Sequence, residues 1–284
     1  MKPTCRFALV LLLFVVFSFS PPSGFAARPA PHRVVVTTVE EAERVLRPGD
    51  LFFEFDSPGR KGTGLFVAAT QAAFKALYGL QNWKMRRGSV RAFHAGIYLG
   101  DGVCAEANGL DATSARVTTF PLRAHGGSVF KIYRARDPKL AAEAARIARR
   151  WATGVMHYRF PSHLPFRSSK LGPFARAELL RFAKSAEREG GPEGVSRMFC
   201  SQFVGAVYQA AIVLPQLASN PKLRAHQLAL PEGLRFHASN VSPMTLLGHV
   251  LGSRVFRPMG EVVLDMAFDA ALLRNPGKQS SGDQ

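Results

Sequence analysis

The fold is decided by residues 93–107, which read FHAGIYLGDGVCAEA. Two largely apolar stretches lie on either side of a Gly-Asp-Gly turn at 100–102, and this turn predicts a β-hairpin. A hairpin at this turn returns Glu106 to the strand that carries His94. We therefore expect an imidazole and a carboxylate, twelve positions apart in the chain, to lie side by side.

The segments around this hairpin predict a small antiparallel sheet packed against helices. A turn that reads Arg-Pro-Gly-Asp, at 47–50, leads into a buried strand at 51–55. Residues 231–263 contain Ser-Pro and Arg-Pro breaks and are expected to wrap the edge of the sheet. Further strands are predicted at 116–122 and 129–134, and helices at 65–78, 138–151, about 174–187 and 199–214.

A second short segment, FCSQFV at 199–204, places Cys200 at the front of an apolar helix. A helix N-terminus and a neighbouring imidazolium both lower the pKa of a thiol, which makes it a better nucleophile at neutral pH. A histidine that takes up the thiol proton is usually oriented by a third polar group. We therefore predict that His94, Glu106 and Cys200 act together to make the Cys200 thiol a nucleophile.

These segments together resemble the permuted branch of the NlpC-type papain-like superfamily, which includes bacterial papain-like amidases and lecithin retinol acyltransferase-like proteins. The resemblance rests on the Arg-Pro-Gly-Asp turn, the His94 strand, Glu106 and the Cys200 segment, and it covers roughly residues 47–212. It implies an α+β, circularly permuted papain-like fold with the nucleophile at a helix N-terminus. It also implies that Cys200 is the nucleophile, His94 the base and Glu106 the orienting residue.

Weaker candidates surround these three residues. Tyr158 would occupy the family's tyrosine position, where its hydroxyl could join the backbone N–H of Cys200 in an oxyanion hole. Arg86 and Arg87 lie in a basic loop just before His94, where they form a solvated surface or bind anionic groups of the substrate. Residues 159–197 depart from the family pattern and are predicted to form an insertion or lid.

The first 26 residues have the pattern of a secretory signal peptide. Lys2 and Arg6 precede an apolar run at 7–19, and small residues surround Ala26. We expect a linker at 27–46, the catalytic domain at 47–265, and a C-terminal tail at 266–284 with a disordered end. The protein is expected to be exported to the periplasm or secreted.

Charge and histidine spacing restrict the partners. Loss of Lys2 and Arg6 lowers the formal charge from +17 to +15, which favours anionic cell-wall polymers or lipid surfaces. No nucleic-acid-binding motif is visible in the sequence, and the remaining histidines lack the close spacing of metal ligands. We therefore expect neither a metal nor a cofactor.

The sequence leaves three functions open. The first is an exported cysteine amidase or peptidase that cleaves an amide bond through a thioester, with cell-wall peptide as the leading substrate. The second is a thiol-dependent lipid hydrolase or acyltransferase with an acyl substrate. The third is a non-catalytic binding module of the same fold, in which an oxidising compartment allows Cys104 and Cys200 to form a disulfide.

Overall fold

All the residues that the computed structural model describes belong to one compact unit, 32–284. The predicted signal peptide, Arg86, Arg87, Tyr158 and the C-terminal tail lie outside the residues that it describes. The described residues are 33–36, 41, 44–55, 71–72, 75–76, 89, 91–107, 115–119, 129–152, 170–188, 191 and 198–264.

Seven strands form a single sheet in this part of the chain, in the order β1-β7-β6-β2-β3-β4-β5. Every neighbouring pair is antiparallel except β1 and β7, which are parallel. The strands are β1 Arg33–Val36, β2 Leu51–Phe55, β3 Ala92–Gly100, β4 Val103–Ala107, β5 Ala115–Thr119, β6 Val129–Ala135 and β7 Phe256–Leu264.

The α-helices within the described ranges are α1 Pro138–Ala152, α2 Pro173–Lys184, α3 Cys200–Ser219 and α4 Pro243–Leu251. Three short 3₁₀ turns, Ala225–Gln227, Glu232–Leu234 and Ala238–Asn240, connect α3 to α4. The fold class is therefore α+β. Among the residues covered by the structure, no helix combines the length and hydropathy needed to cross a membrane.

The predicted hairpin is confirmed. Gly100, Asp101 and Gly102 adopt positive φ angles of 92°, 52° and 65°, a conformation in which glycine carries no steric penalty. The backbone N–H of Gly102 donates to the hydroxyl of Tyr98 at 3.1 Å, and Tyr98 lies directly opposite Cys104. This register places Glu106 near the beginning of β3.

The Arg-Pro-Gly-Asp turn is fastened to three other elements. The buried carboxylate of Asp50 accepts a bond from the backbone N–H of Arg47 and a bidentate pair of bonds from Arg134 on β6. Gly49 has a φ of +86°, and a Cβ there would lie 2.2 Å from the carbonyl oxygen of Ala141 on α1. The hydroxyl of Tyr208 on α3 donates to the carbonyl of Gly49. This turn therefore ties the sheet to the helices.

The two faces of the sheet carry different clusters. On one face, Ile97 and its neighbours pack against helices α1, α2, α3 and α4 in the main core, with Trp151 and Phe203 among the largest buried side chains. The opposite face carries a smaller cluster. That smaller cluster comprises Leu46, Phe52, Tyr98, Cys104, Phe130, Ile132 and Val262.

The structure shows what the described parts of three predicted segments contain. The span predicted as a linker, 27–46, contains strand β1, which pairs with β7. The segment predicted to wrap the sheet edge, 231–263, contains α4 and most of β7, an integral strand between β1 and β6. The described part of the predicted insertion or lid, 159–197, contains α2, where a helix is predicted at about 174–187, and Leu179 and Phe182 of this helix are buried in the main core.

Candidate active site

His94 and Glu106 lie together, as the hairpin predicts. The Nε2 atom of His94 is 3.6 Å from the Oε2 atom of Glu106. This separation exceeds that of a hydrogen bond and is the distance of an ion pair when the imidazole is protonated. His94 is 6% exposed and Glu106 is fully buried. Because a buried charge is costly without a partner, the two side chains are suited to face each other here.

Gly96 shapes the apolar surface beside this pair. A Cβ at Gly96 would lie 2.3 Å from the Cζ atom of Phe52, so the absence of a side chain lets the phenyl ring lie across the strand. Phe52 belongs to the smaller cluster and packs edge-to-face against Phe130 at a centroid distance of 5.7 Å. The imidazole and carboxylate are therefore flanked by a rigid aromatic surface.

Two further polar side chains surround the pair. Glu54 on β2 lies directly opposite His94 in the sheet register and is 1% exposed. The thiol of Cys104 donates to the same Oε2 atom of Glu106 at 3.9 Å. Cys104 and Cys200 are both thiols, with no disulfide joining them. Cys104 therefore contacts the carboxylate of Glu106.

Cys200 is the first residue of α3, as predicted, and Phe199 is its N-cap with an extended backbone. No side chain caps this helix end, and the first N–H groups of a helix have no intrahelical acceptor. The side chain of Cys200 is only 5% exposed. Ser201 donates to the carbonyl of Val241 at 2.7 Å, and Gln202 donates to the hydroxyl of Ser239 at 2.8 Å. The helix start is therefore fixed to the segment that precedes α4.

The beginning of α3 lies at the same end of the sheet as the beginning of β3. Gln71 joins β3 to α4, because its amide donates to the carbonyl of Ala92 at 2.9 Å and accepts from the N–H of Met244 at 2.8 Å. At the other end of β3, the carbonyl of Tyr98 accepts a bond from the backbone N–H of Gly49. The carbonyl of Gly49 in turn accepts a bond from the hydroxyl of Tyr208 on α3. Helix α3 therefore runs alongside β3, with its N-terminus towards the His94 end.

The sheet register also shows which face His94 occupies. His94 pairs with Glu54, whereas the next residue, Ala95, pairs with Phe53 and faces the helices. Helix α3 packs against the Ala95 face. His94 and helix α3 therefore lie on opposite faces of the sheet.

The structure thus brings His94 and Glu106 into contact and places Cys200 at the same end of the sheet. Sequence reasoning did not single out Glu54, Gln71, Ser201 or Gln202. The sequence of β2 contains a signal for Glu54, because this glutamate is the one charged residue in an otherwise apolar strand. The sequence contains no such signal for Gln71, because its two hydrogen-bond partners, Ala92 and Met244, are 21 and 173 positions away in the chain.

No cluster of three potential metal ligands occurs among the residues that the structure covers. The nearest approach to one, His94 with Glu106 and Cys104, is an ion pair and a thiol hydrogen bond. Comparisons with known proteins give no match: no family model, no curated protein and no solved structure matches this chain.

Proposed function

We propose that this protein is an exported cysteine amidase or peptidase with a circularly permuted papain-like fold. It cleaves an amide bond through a thioester intermediate, and cell-wall peptide is the leading substrate class. The observation that carries the proposal is the buried pair of His94 and Glu106, 3.6 Å apart. The position of Cys200 at an uncapped helix start supports it.

The geometry suggests a role for each nitrogen of the imidazole. Because Nε2 of His94 faces Glu106, Nδ1 is the nitrogen that takes the proton from the Cys200 thiol. The carboxylate then stabilises the imidazolium and fixes the orientation of the ring. The resulting thiolate–imidazolium pair is the reactive form of a cysteine hydrolase.

The reaction proceeds in two halves. The sulfur of Cys200 attacks the carbonyl carbon of the amide, and the tetrahedral oxyanion accepts hydrogen bonds from backbone N–H groups at the start of α3. Collapse of this intermediate breaks the C–N bond, and the proton on Nδ1 of His94 passes to the leaving amine. His94 then removes a proton from water, which hydrolyses the thioester and regenerates the thiol.

This mechanism requires the thiol and the imidazole to meet at the end of β3. The bonds of Gln71 to Ala92 and Met244 join the strand to the first turn of α4 at this end. Ser201 holds the helix start to Val241, which lies just before α4. These links give the helix start a fixed position relative to the strand, which pre-organised catalysis needs.

The binding-module alternative is less well supported, because Cys104 and Cys200 are separate thiols in the structure. The lipid hydrolase or acyltransferase alternative shares the same residues and the same thioester. It differs in the acyl substrate, so the two must be separated by experiment.

The test compares the purified wild-type protein with Cys200→Ala on peptidoglycan fragments and on phospholipid vesicles. We expect wild-type protein to release new amino groups from the fragments and Cys200→Ala to release none. Glu106→Gln should lower the rate strongly, while Glu261→Gln should not, because Glu261 pairs with Lys131 across β7 and β6, outside the hairpin that carries His94 and Glu106. Cleavage of lipid without any cleavage of peptide would refute the amidase proposal in favour of the lipid enzyme.

A further inference from the structure

A hydrogen-bonded network behind the start of α3 converges on Glu178, which lies on α2. The Oε2 atom of Glu178 accepts a bond from Nε2 of His237 at 2.8 Å and another from the hydroxyl of Ser239 at 3.1 Å. Its other oxygen, Oε1, lies 4.0 Å from the guanidinium of Arg181. The side chains of Glu178 and His237 are only 17% and 13% exposed. A carboxylate with three such neighbours is held in one orientation.

The donors and acceptors of this network fit one consistent assignment. The amide of Asn240 donates to Nδ1 of His237 at 3.0 Å, so the ring proton lies on Nε2 and is donated to Glu178. The hydroxyl of Ser239 donates to Glu178 and accepts from the amide of Gln202. Glu178 therefore accepts both of its bonds, one from His237 and one from Ser239.

The network reaches the candidate nucleophile through Gln202. This residue is in the first turn of α3, two positions after Cys200, and it is 9% exposed. The N–H groups of that turn would stabilise a thiolate and an oxyanion. A small rotation of the turn would therefore weaken both effects.

We propose that Glu178 is a positioning residue for the Cys200 thiol and acts through Ser239 and Gln202 on the first turn of α3. The inference rests on the proposed function, because it assumes that the thiolate of Cys200 is the reacting group. Glu178 itself touches neither the thiol nor the substrate. Its role is to fix the turn that stabilises the thiolate.

The experiment measures the rate at which iodoacetamide alkylates Cys200 in the full-length protein between pH 4 and pH 9, with the modified peptide quantified by mass spectrometry. This readout needs no knowledge of the substrate. The variants are Glu178→Gln, Ser239→Ala and Ser239→Thr. The matched control is Glu187→Gln, because Glu187 follows the same helix and pairs with Arg146 on the protein surface.

We expect Glu178→Gln and Ser239→Ala to alkylate about 3- to 30-fold more slowly near pH 6 and to shift the profile to higher pH, the size of effect that a helix end has on a charge. Ser239→Thr keeps the hydroxyl and should restore most of the rate, while Glu187→Gln should match wild type. Near-ultraviolet circular dichroism establishes that each variant is folded. If Glu178→Gln does not fold, Ser239→Ala and Ser239→Thr decide the question.

Profiles of Glu178→Gln and Ser239→Ala that superimpose on the wild-type profile would overturn the inference while leaving the proposed function intact. Equal slowing in Glu187→Gln would also overturn it, because the effect would then be a general loosening of α2. A wild-type Cys200 that reacts only as an ordinary thiol, with a midpoint near pH 8.5, would instead refute the proposed function.

Discussion

Replacement of Asp50 by asparagine should destabilise the protein severely, because it removes the counter-charge of a buried guanidinium. Asp50 is fully buried, and Arg134 donates to its two oxygens at 2.8 and 2.7 Å. The same carboxylate accepts from the backbone N–H of Arg47 at 2.8 Å. Removing one partner of a buried ion pair costs about 3–5 kcal/mol. This is a large part of the ~5–15 kcal/mol by which an ordinary domain is stable.

Urea unfolding followed by circular dichroism would measure this loss as a lower midpoint at an unchanged slope. The control is Glu143→Gln, whose partner Arg146 is partly exposed, and it should lose no more than about 1 kcal/mol. The combined replacement Asp50→Leu with Arg134→Met should recover much of the loss, because it leaves no unpaired charge. A loss for Asp50→Asn as small as that of Glu143→Gln would show that our reasoning from burial is wrong.

Three further outcomes are expected. Gly96→Ala should lower the free energy of unfolding by about 1–3 kcal/mol through overpacking against Phe52. A second substitution, Phe52→Leu, in the same protein should restore most of this free energy. An unchanged stability of Gly96→Ala alone would contradict the close contact. Burial raises the pKa of Tyr133 to about 12, so the stability that it contributes should be present below pH 10 and fall by roughly 2–3 kcal/mol as the pH rises to 12. Urea titrations at pH 8 and pH 12 would show this fall, and Tyr133→Phe should reduce it. Tyr208→Phe removes a buried bond and should cost about 1–2 kcal/mol in the same assay at pH 8.

The strongly patterned elements were predictable from the sequence. The hairpin of β3 and β4 has a turn that only glycine-rich residues can make, and β2 and β6 are largely apolar strands. Helix α1 repeats apolar residues at helical spacing. Because the hairpin fixes its own register, the contact of His94 with Glu106 could also be predicted.

Strand β7 was not predicted, because Pro258 and Gly260 look like breaks in a strand. The structure accommodates them at a bulge, where the pairing shifts between Ile132 and Tyr133 of β6. A proline without an N–H is tolerated at such a position because the ladder is already interrupted. The sequence of β7 alone does not reveal that Pro258 and Gly260 fit into a strand, because the bulge is defined by the pairing with β6.

Helix α3 extends beyond its predicted end at Leu214 for a similar reason. Pro215 lies inside the helix, and a proline there removes one backbone hydrogen bond. The side chain of Gln216 donates to the carbonyls of Ile212 and Ala229, so the turn around the proline is supported from outside the helix backbone. Such compensation depends on tertiary contacts, as do the bonds of Gln71 and Glu178, and a local pattern does not contain them.

The parallel pairing of β1 with β7 sets the order in which this protein can be completed during synthesis. Strand β1 is made more than two hundred residues before β7, and β7 lies between it and the remainder of the sheet. Until residues 256–264 have emerged, β6 has an open edge and β1 has no strand in this sheet to join. Since such distant pairings form slowly and open edges recruit other chains, the growing polypeptide is exposed to aggregation at this edge until residues 256–264 are available.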